Sequence, residues 1–360
     1  AALTERIVAP RELSAREAAL APPRAFGTPP AHGRLRIEPE DFMVEEELGF
    51  APAGDGAHVL LKVRKRNENT QWVARELARL AGCRPTEVGY AGLKDRRAVA
   101  VQWFSLPRPR RTVNWQEMRG AGFEVLEAYP HTRKLPRGAL AGNRFAIRIG
   151  VHEGDGAELA VCLAPRIAAI AQRGVPNYFG PQRFGRDGGN LQRLETSPGR
   201  LPPQQRAFAL SAARSLIFNA VLAARVLDAT WEHLQAGDVA NLDGRGSVFT
   251  IETVEAALRE RSLRLEIHPT GPLWGEGSPP SAGEVLALET AAAARYPDAA
   301  AACTAARMAQ ERRSLRLAVH ELRYEIEPQS VRVHFRLTRG GFATAVLAEL
   351  IETQPQESST

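Results

Sequence analysis

Val88-Gly89-Tyr90-Ala91-Gly92-Leu93-Lys94-Asp95-Arg96-Arg97-Ala98-Val99 runs from an apolar strand pattern into four charged residues. It returns to strand through Val101, Trp103, Phe104 and Leu106. Asp95 is the only acid between Glu87 and Glu117. Neighbouring cations favour an ionised carboxylate, and burial opposes it. An ionised acid among cations, glycines and aromatics suits a nucleophile or base working on a flat, anionic substrate. The structural alternative is a polar hairpin turn with a solvated ion pair. Spacing alone leaves both open.

Outward from this stretch, the chain has 360 residues, which suggests two domains. A 44% hydrophobic content supplies a sizeable core. The sequence reads as having no run of eighteen apolar residues, hence no membrane span, and no signal-peptide block over Ala1 to Ala25. Cys83, Cys162 and Cys303 lie far apart and form no C-x-x-C pair, so neither a disulfide framework nor a metal site is expected, and a reducing cytoplasm fits best. The net charge of +6 suggests a polyanionic partner. Of the 47 basic residues only Lys62, Lys65, Lys94 and Lys134 are lysine. Arginine forks onto phosphate and stacks on bases, so this excess suits RNA; nucleotide bias in the genome would produce it equally well.

Residues 1–33 read as a Pro/Ala/Arg-rich surface arm. Leu35, Ile37, Phe42, Val44 and Leu48 then frame an acidic strand. His58–Lys65 alternates like a strand. Asn69 or Thr70 caps a helix over Trp72, Val73, Leu77 and Leu80, and Gly82 ends it. Phe145–Gly150 is a further strand. From about Asp155 alanine-rich helical stretches dominate, at 156–174, 205–229, 283–296 and 298–312. Strands return at 319–326 and 331–337, and a helix at 343–351 precedes a frayed tail. Mixed strands and helices give an α+β (or mixed α/β) core, and the bracketing strands mark the helical block as an insertion.

Three more segments carry chemistry. In Gly142-Asn143-Arg144-Phe145 an amide at a strand entrance reads a pyrimidine edge, or is a turn residue before a core Phe. Gly174 to Arg186 packs Tyr178, Phe179 and Phe184 among arginines and glycines, as a base-stacking loop or a rigid interdomain turn. Arg339-Gly340-Gly341-Phe342-Ala343-Thr344 puts Phe342 at a helix N-terminus, facing an anion or buried in the core. Phosphate-loop, metalloprotease and Ser-hydrolase signatures are missing, and His58, His268 and His320 lack ligand spacing, so cofactor-free and metal-free chemistry is expected.

Together these segments resemble the TruD family of pseudouridine synthases. The resemblance rests on Glu40-Asp41-Phe42-x-Val44-x-Glu46, Tyr90-Ala91-Gly92-Leu93-Lys94-Asp95-Arg96, Gln102-Trp103-Phe104, Gly142-Asn143-Arg144-Phe145, Pro176-Asn177-Tyr178-Phe179-Gly180-x-Gln182-Arg183-Phe184-Gly185 and Gly341-Phe342-Ala343-Thr344. It implies a discontinuous catalytic domain of pseudouridine-synthase fold at 34–154 and 313–352, interrupted by a TRUD domain at 155–312, with an arm at 1–33 and a tail at 353–360. It also implies Asp95 as catalytic nucleophile, Phe42, Asn143 and Phe342 as contacts of the target uridine, and Arg36 as a partner of Asp95. Lys94, Arg96, Tyr90 and Tyr178 are further candidates for substrate contact. The implied substrate is tRNA at uridine-13, with no cofactor, no DNA and no membrane, handled by a cytoplasmic monomer. One departure is Leu337-Thr338-Arg339-Gly340-Gly341, where the family has a proline. Two other functions remain open at this point: a non-catalytic RNA-binding module, and a glycosidase-like enzyme, which would want a second carboxylate.

Overall fold

The structure, a computed structural model, describes residues 20–109, 113–150, 155–185, 188–196 and 201–353. It divides into two compact units. A sheet unit comprises Thr28–Val175 and Ala318–Thr360, and a helical unit comprises Pro176–Leu317 with the residues before Thr28.

The sheet unit holds nine strands: β1 Phe42–Leu48, β2 His58–Arg66, β3 Gly89–Tyr90, β4 Val99–Pro107, β5 Arg119–Gly120, β6 Phe123–His131, β7 Leu140–Gly150, β8 His320–Glu327 and β9 Ser330–Thr338. Their order is β8-β9-β7-β1-β4-β2-β6-β5, with β3 paired to β4. β1 runs parallel to β4, and the other pairings within the sheet are antiparallel, so the sheet is mixed. Side chains alternate across the pleat. Phe42, Val44 and Glu46 of β1 therefore share one buried face with Leu61, Val63 and Lys65 of β2, while Met43 and Arg64 point the other way.

Helix α1, Thr70–Ala81, buries Val73, Leu77 and Ala78 against Leu61, Val63 and Phe104 on that face. Gly82 ends it in the left-handed conformation at φ 74°. Helix α2, Gly156–Arg173, buries Leu159, Leu163, Ile167 and Ile170, a helical 3–4 spacing, and packs on β8, β9 and helix α3, Ala343–Leu350. Asp155 caps α2 by accepting the Glu158 N–H at 2.8 Å. The sequence reading opens the insertion at residue 155. The compact division opens it at Pro176, because the apolar stripe of α2 is buried on the sheet unit.

The helical unit is built around helix Pro203–Leu227. By length and composition this helix passes as a candidate membrane span, the one such helix among the described residues. Ala209, Ala213, Leu216, Ile217, Val221 and Leu222 are buried in the core of this unit with Phe184, Trp231 and Cys303. A four-stranded sheet, which sequence reading misses, orders Val248–Thr250, Val239–Leu242, Ile267–Leu273 and Glu311–Ser314. Pro269 and Pro272 hide the third strand, since proline removes a ladder donor. The helix expected at 298–312 stops at Ala305; Arg307 takes a left-handed φ of 52°, and a strand follows.

Part of the expected surface arm is ordered. Phe26 packs edge-to-face on Trp231 at 6.2 Å, and Ala31–Gly33 pairs in parallel with Ile351–Thr353. Residues 1–19 and 354–360 lie outside the described residues.

Gly142 shows how tightly the sheet is closed beside Asn143. A Cβ there would collide with the Leu337 carbonyl oxygen. Gly142→Ala therefore forces β7 from β9 and is expected to cost about 1–3 kcal/mol of stability, as overpacking does. Chemical denaturation checks it.

Candidate active site

Asp95 lies on the loop between β3 and β4, and the strand expected before it shrinks to Gly89–Tyr90. Its carboxylate is partly exposed. Arg36 donates from Nη2 to Asp95 Oδ2 at 2.8 Å. The same guanidinium lies 4.1 Å from the centroid of the Phe42 ring. Arg36 sits at φ 59°, a left-handed conformation that costs a non-glycine residue on the order of 1–3 kcal/mol. Of the four cations offered by the sequence, Arg36 is thus the one paired with Asp95.

The loop is held from beneath. Lys65, fully buried on β2, donates to the backbone carbonyls of Asp95 at 2.8 Å and Glu68 at 2.7 Å. Burial pulls its ammonium down to about 8, with the Asp95 charge opposing that shift. The Lys94 N–H donates to Thr70 Oγ1 at 3.0 Å, Thr70 donates to Gln102 Oε1 at 3.0 Å, and Gln102 donates to the Gly92 carbonyl at 2.6 Å. The Thr70 hydroxyl is therefore part of the loop support and does not cap α1; neither does the Asn69 side chain, which occupies the N-cap position.

Lys94 has other partners than Asp95. Its Nζ donates to Asn143 Oδ1 at 2.5 Å and lies 3.0 Å from Glu46 Oε1. Glu46 is fully buried, and its Oε2 accepts the Trp103 N–H at 2.9 Å. Burial pushes the Glu46 carboxyl above the usual range, against the pull of Lys94.

The other candidates are placed as follows. Phe42 is buried, edge-on to Phe145, with Arg36 over its ring, so it presents no open face. Asn143 is nearly buried on β7, opposite Glu46 of β1 and Leu337 of β9. Phe342 occupies the N-cap of α3 and is 38% exposed. The chain enters that position through Gly340 at φ 83° and a turn closed by Gly341 N–H to the Thr338 carbonyl, which forms without the proline. Arg96 donates to the Asn67 carbonyl at 3.3 Å. Tyr90 carries Arg137 over its ring at 3.8 Å. Tyr178 is buried in the core of the helical unit. Arg36, Asp95 and Phe42 form one contact group, and Glu46, Lys94 and Asn143 another, with Lys65 under the loop.

Glu46 and Lys65 are the residues that sequence reading passes over. Both fall in phase with apolar residues of their strands, and an inward-facing charge is the signal. A separate hollow of about 270 Å³ on the other sheet face is lined by Met43, Val99, Arg64, Arg144 and His334. Arg64 there pairs with Glu124 and Arg144 with Glu47, and Asp95 takes no part in it.

The chain matches the family model of tRNA pseudouridine synthase D (TruD) over residues 23–195 and 190–350. It is 44% identical over 342 residues to a protein of Methylococcus capsulatus named tRNA pseudouridine synthase D, covering 93% of this chain and 95% of that one. It is 45% identical over 337 residues to a Nitrosococcus oceani protein of the same name, covering 91% and 93%. A solved structure described as the putative tRNA pseudouridine synthase D from Methanosarcina mazei superposes with a TM-score of 0.74 at 19% identity, over 93% of this chain and 97% of that one. Fold and site thus define an α+β enzyme class with a mixed sheet interrupted by an inserted unit. The chain belongs to the tRNA pseudouridine synthase D family.

The buried ammonium carries a pH signature. Unfolded, Lys65 keeps its proton to about 10.5; folded, it releases it near 8. Between these values the unfolded state binds more protons, so this group makes stability rise with pH. Denaturant titrations from pH 8 to 10 are expected to show that rise in the wild type and to lose it in Lys65→Met.

Proposed function

We propose that this chain isomerises uridine-13 of tRNA to pseudouridine, with Asp95 as the nucleophile and without a cofactor. One observation supports this most: a partly exposed carboxylate on a loop braced from below by Lys65 and gripped by Arg36. A residue kept only for packing or for solvation has no need of both supports.

The reaction breaks the bond between the sugar and N1 of uracil and joins the sugar to C5 of the same base, while C5 gives up its proton and the freed N1 gains one. No electrons and no groups are gained or lost. Removing the target base from its stack costs a few kcal/mol. The exposed ring of Phe342 offsets about 1–3 kcal/mol of that by stacking. Phe42 contributes through Arg36, whose guanidinium lies over its ring and offers a second planar surface. As the base arrives Arg36 swings from the carboxylate, and Asp95 attacks the sugar carbon or takes a sugar proton. Asn143 holds the detached uracil while it turns. Arginines, with Tyr90 as a further candidate contact, bind the RNA around the target. A cytoplasmic enzyme acting alone fits this chemistry.

Asp95→Asn keeps the shape and removes the charge. It is expected to bind tRNA within about threefold of the wild type, since phosphate contacts dominate affinity, and to form no pseudouridine in a single-turnover assay. Normal product from the variant would sink the nucleophile assignment, and release of free uracil by the wild type would mark a glycosidase.

A further inference from the structure

We infer that Lys94 and Glu46 are positioning residues that fix the polarity of the Asn143 amide, so that it offers N–H, and not oxygen, to the carbonyl at the 4-position of the target pyrimidine. This rests on the proposed role of Asn143 as a base contact.

An asparagine amide can be turned over to exchange donor and acceptor, and a free one reads either kind of edge. Asn143 does not have that freedom. A lysine ammonium carries three donors and no acceptor. The Asn143 atom 2.5 Å from Lys94 Nζ must therefore be the oxygen. Turning the amide would set its NH2 against the ammonium, two donors face to face in a nearly buried site. The ammonium is fixed in turn. Glu46 Oε1 lies 3.0 Å behind it, and Glu46 is pinned through Oε2 by the Trp103 N–H at 2.9 Å. The Lys94 backbone is fixed through its N–H on Thr70.

The consequence falls on the other end of the amide. Asn143 makes no other side-chain hydrogen bond among the described residues, so the donors of Nδ2 are unused and are the end of the amide left to meet a base. Uracil carries a carbonyl at its 4-position and accepts there. Cytosine carries an amino group at that position and only donates. A donor held rigidly against that edge accepts uracil and opposes cytosine, because a buried donor left without an acceptor loses its hydrogen bond and its solvation together. Glu46 has no exposed side-chain surface and does not reach the substrate itself.

The test compares wild type, Lys94→Arg, Lys94→Gln and Asn143→Asp. It uses tRNA transcripts carrying uridine at the modified position, with transcripts carrying cytidine there as competitors. Arginine is again a donor-only cation, so Lys94→Arg is expected to keep the preference for uridine. Glutamine both donates and accepts, so in Lys94→Gln the amide is free to turn. Preference and single-turnover rate are both expected to fall about tenfold or more, with affinity for the uridine transcript within about twofold. Glu46→Gln is expected to move in the same direction, and thermal melts confirm folding of each variant. A wild-type preference in Lys94→Gln, or equal losses in Lys94→Arg and Lys94→Gln, would overturn the lock. Asn143→Asp separates the two claims. If it keeps the wild-type rate and preference, Asn143 is not a base contact at all. If it loses both while Lys94→Gln loses neither, the base contact stands and the lock falls.

Discussion

The ammonium of Lys65 is buried on the sheet and donates to two backbone carbonyls, those of Glu68 and Asp95. A buried charge without partners is costly, and here the fold meets that demand by bringing the 91–98 loop down onto β2. The position of Asp95 is therefore set by main chain, while its carboxylate stays free to face solvent and Arg36. Without Lys65 the loop keeps Thr70 and Gln102 as supports ahead of Asp95, and the bonds of Asn67 with Arg96 and Ala98 behind it.

Three cations close to one another do three different things. Lys65 holds backbone, Lys94 holds an amide, and Arg36 holds the Asp95 carboxylate. Each type suits its task. Lysine, a compact point charge, fits the two buried sites. Arginine, planar, covers the Phe42 ring while pairing with Asp95. The strained backbone of Arg36 is tolerated because its side chain meets both partners at once.

Much of this was legible in the sequence. Period-2 and period-3.6 patterns mark most strands of the sheet unit and the helices around Leu77, Leu163 and Leu216. The motif around Asp95 and its neighbours pointed to the family. The pairing of Asp95 was open among four cations, since Arg36 is 59 residues away in the chain and only the fold brings the two together. The alanine run past residue 305 carries helix propensity throughout, but the left-handed turn at Arg307 and the pairing of Glu311–Ser314 with Ile267–Leu273 override it. Proline at 269 and 272 masked the partner strand. Glu46 was visible in phase with Phe42 and Val44, yet a charged residue in a β pattern reads first as solvated; only the fold shows it under Lys94.

The central claim, that Asp95 drives isomerisation of one tRNA uridine, meets its most direct test in cells. Pseudouridines are mapped in tRNA from cells lacking this gene and after complementation. The account predicts unmodified uridine at position 13 in the deletion, pseudouridine there with the wild-type gene, and uridine still there with the Asp95→Asn gene. Pseudouridine persisting at that position in the deletion, or restored by the Asp95→Asn gene, would contradict it.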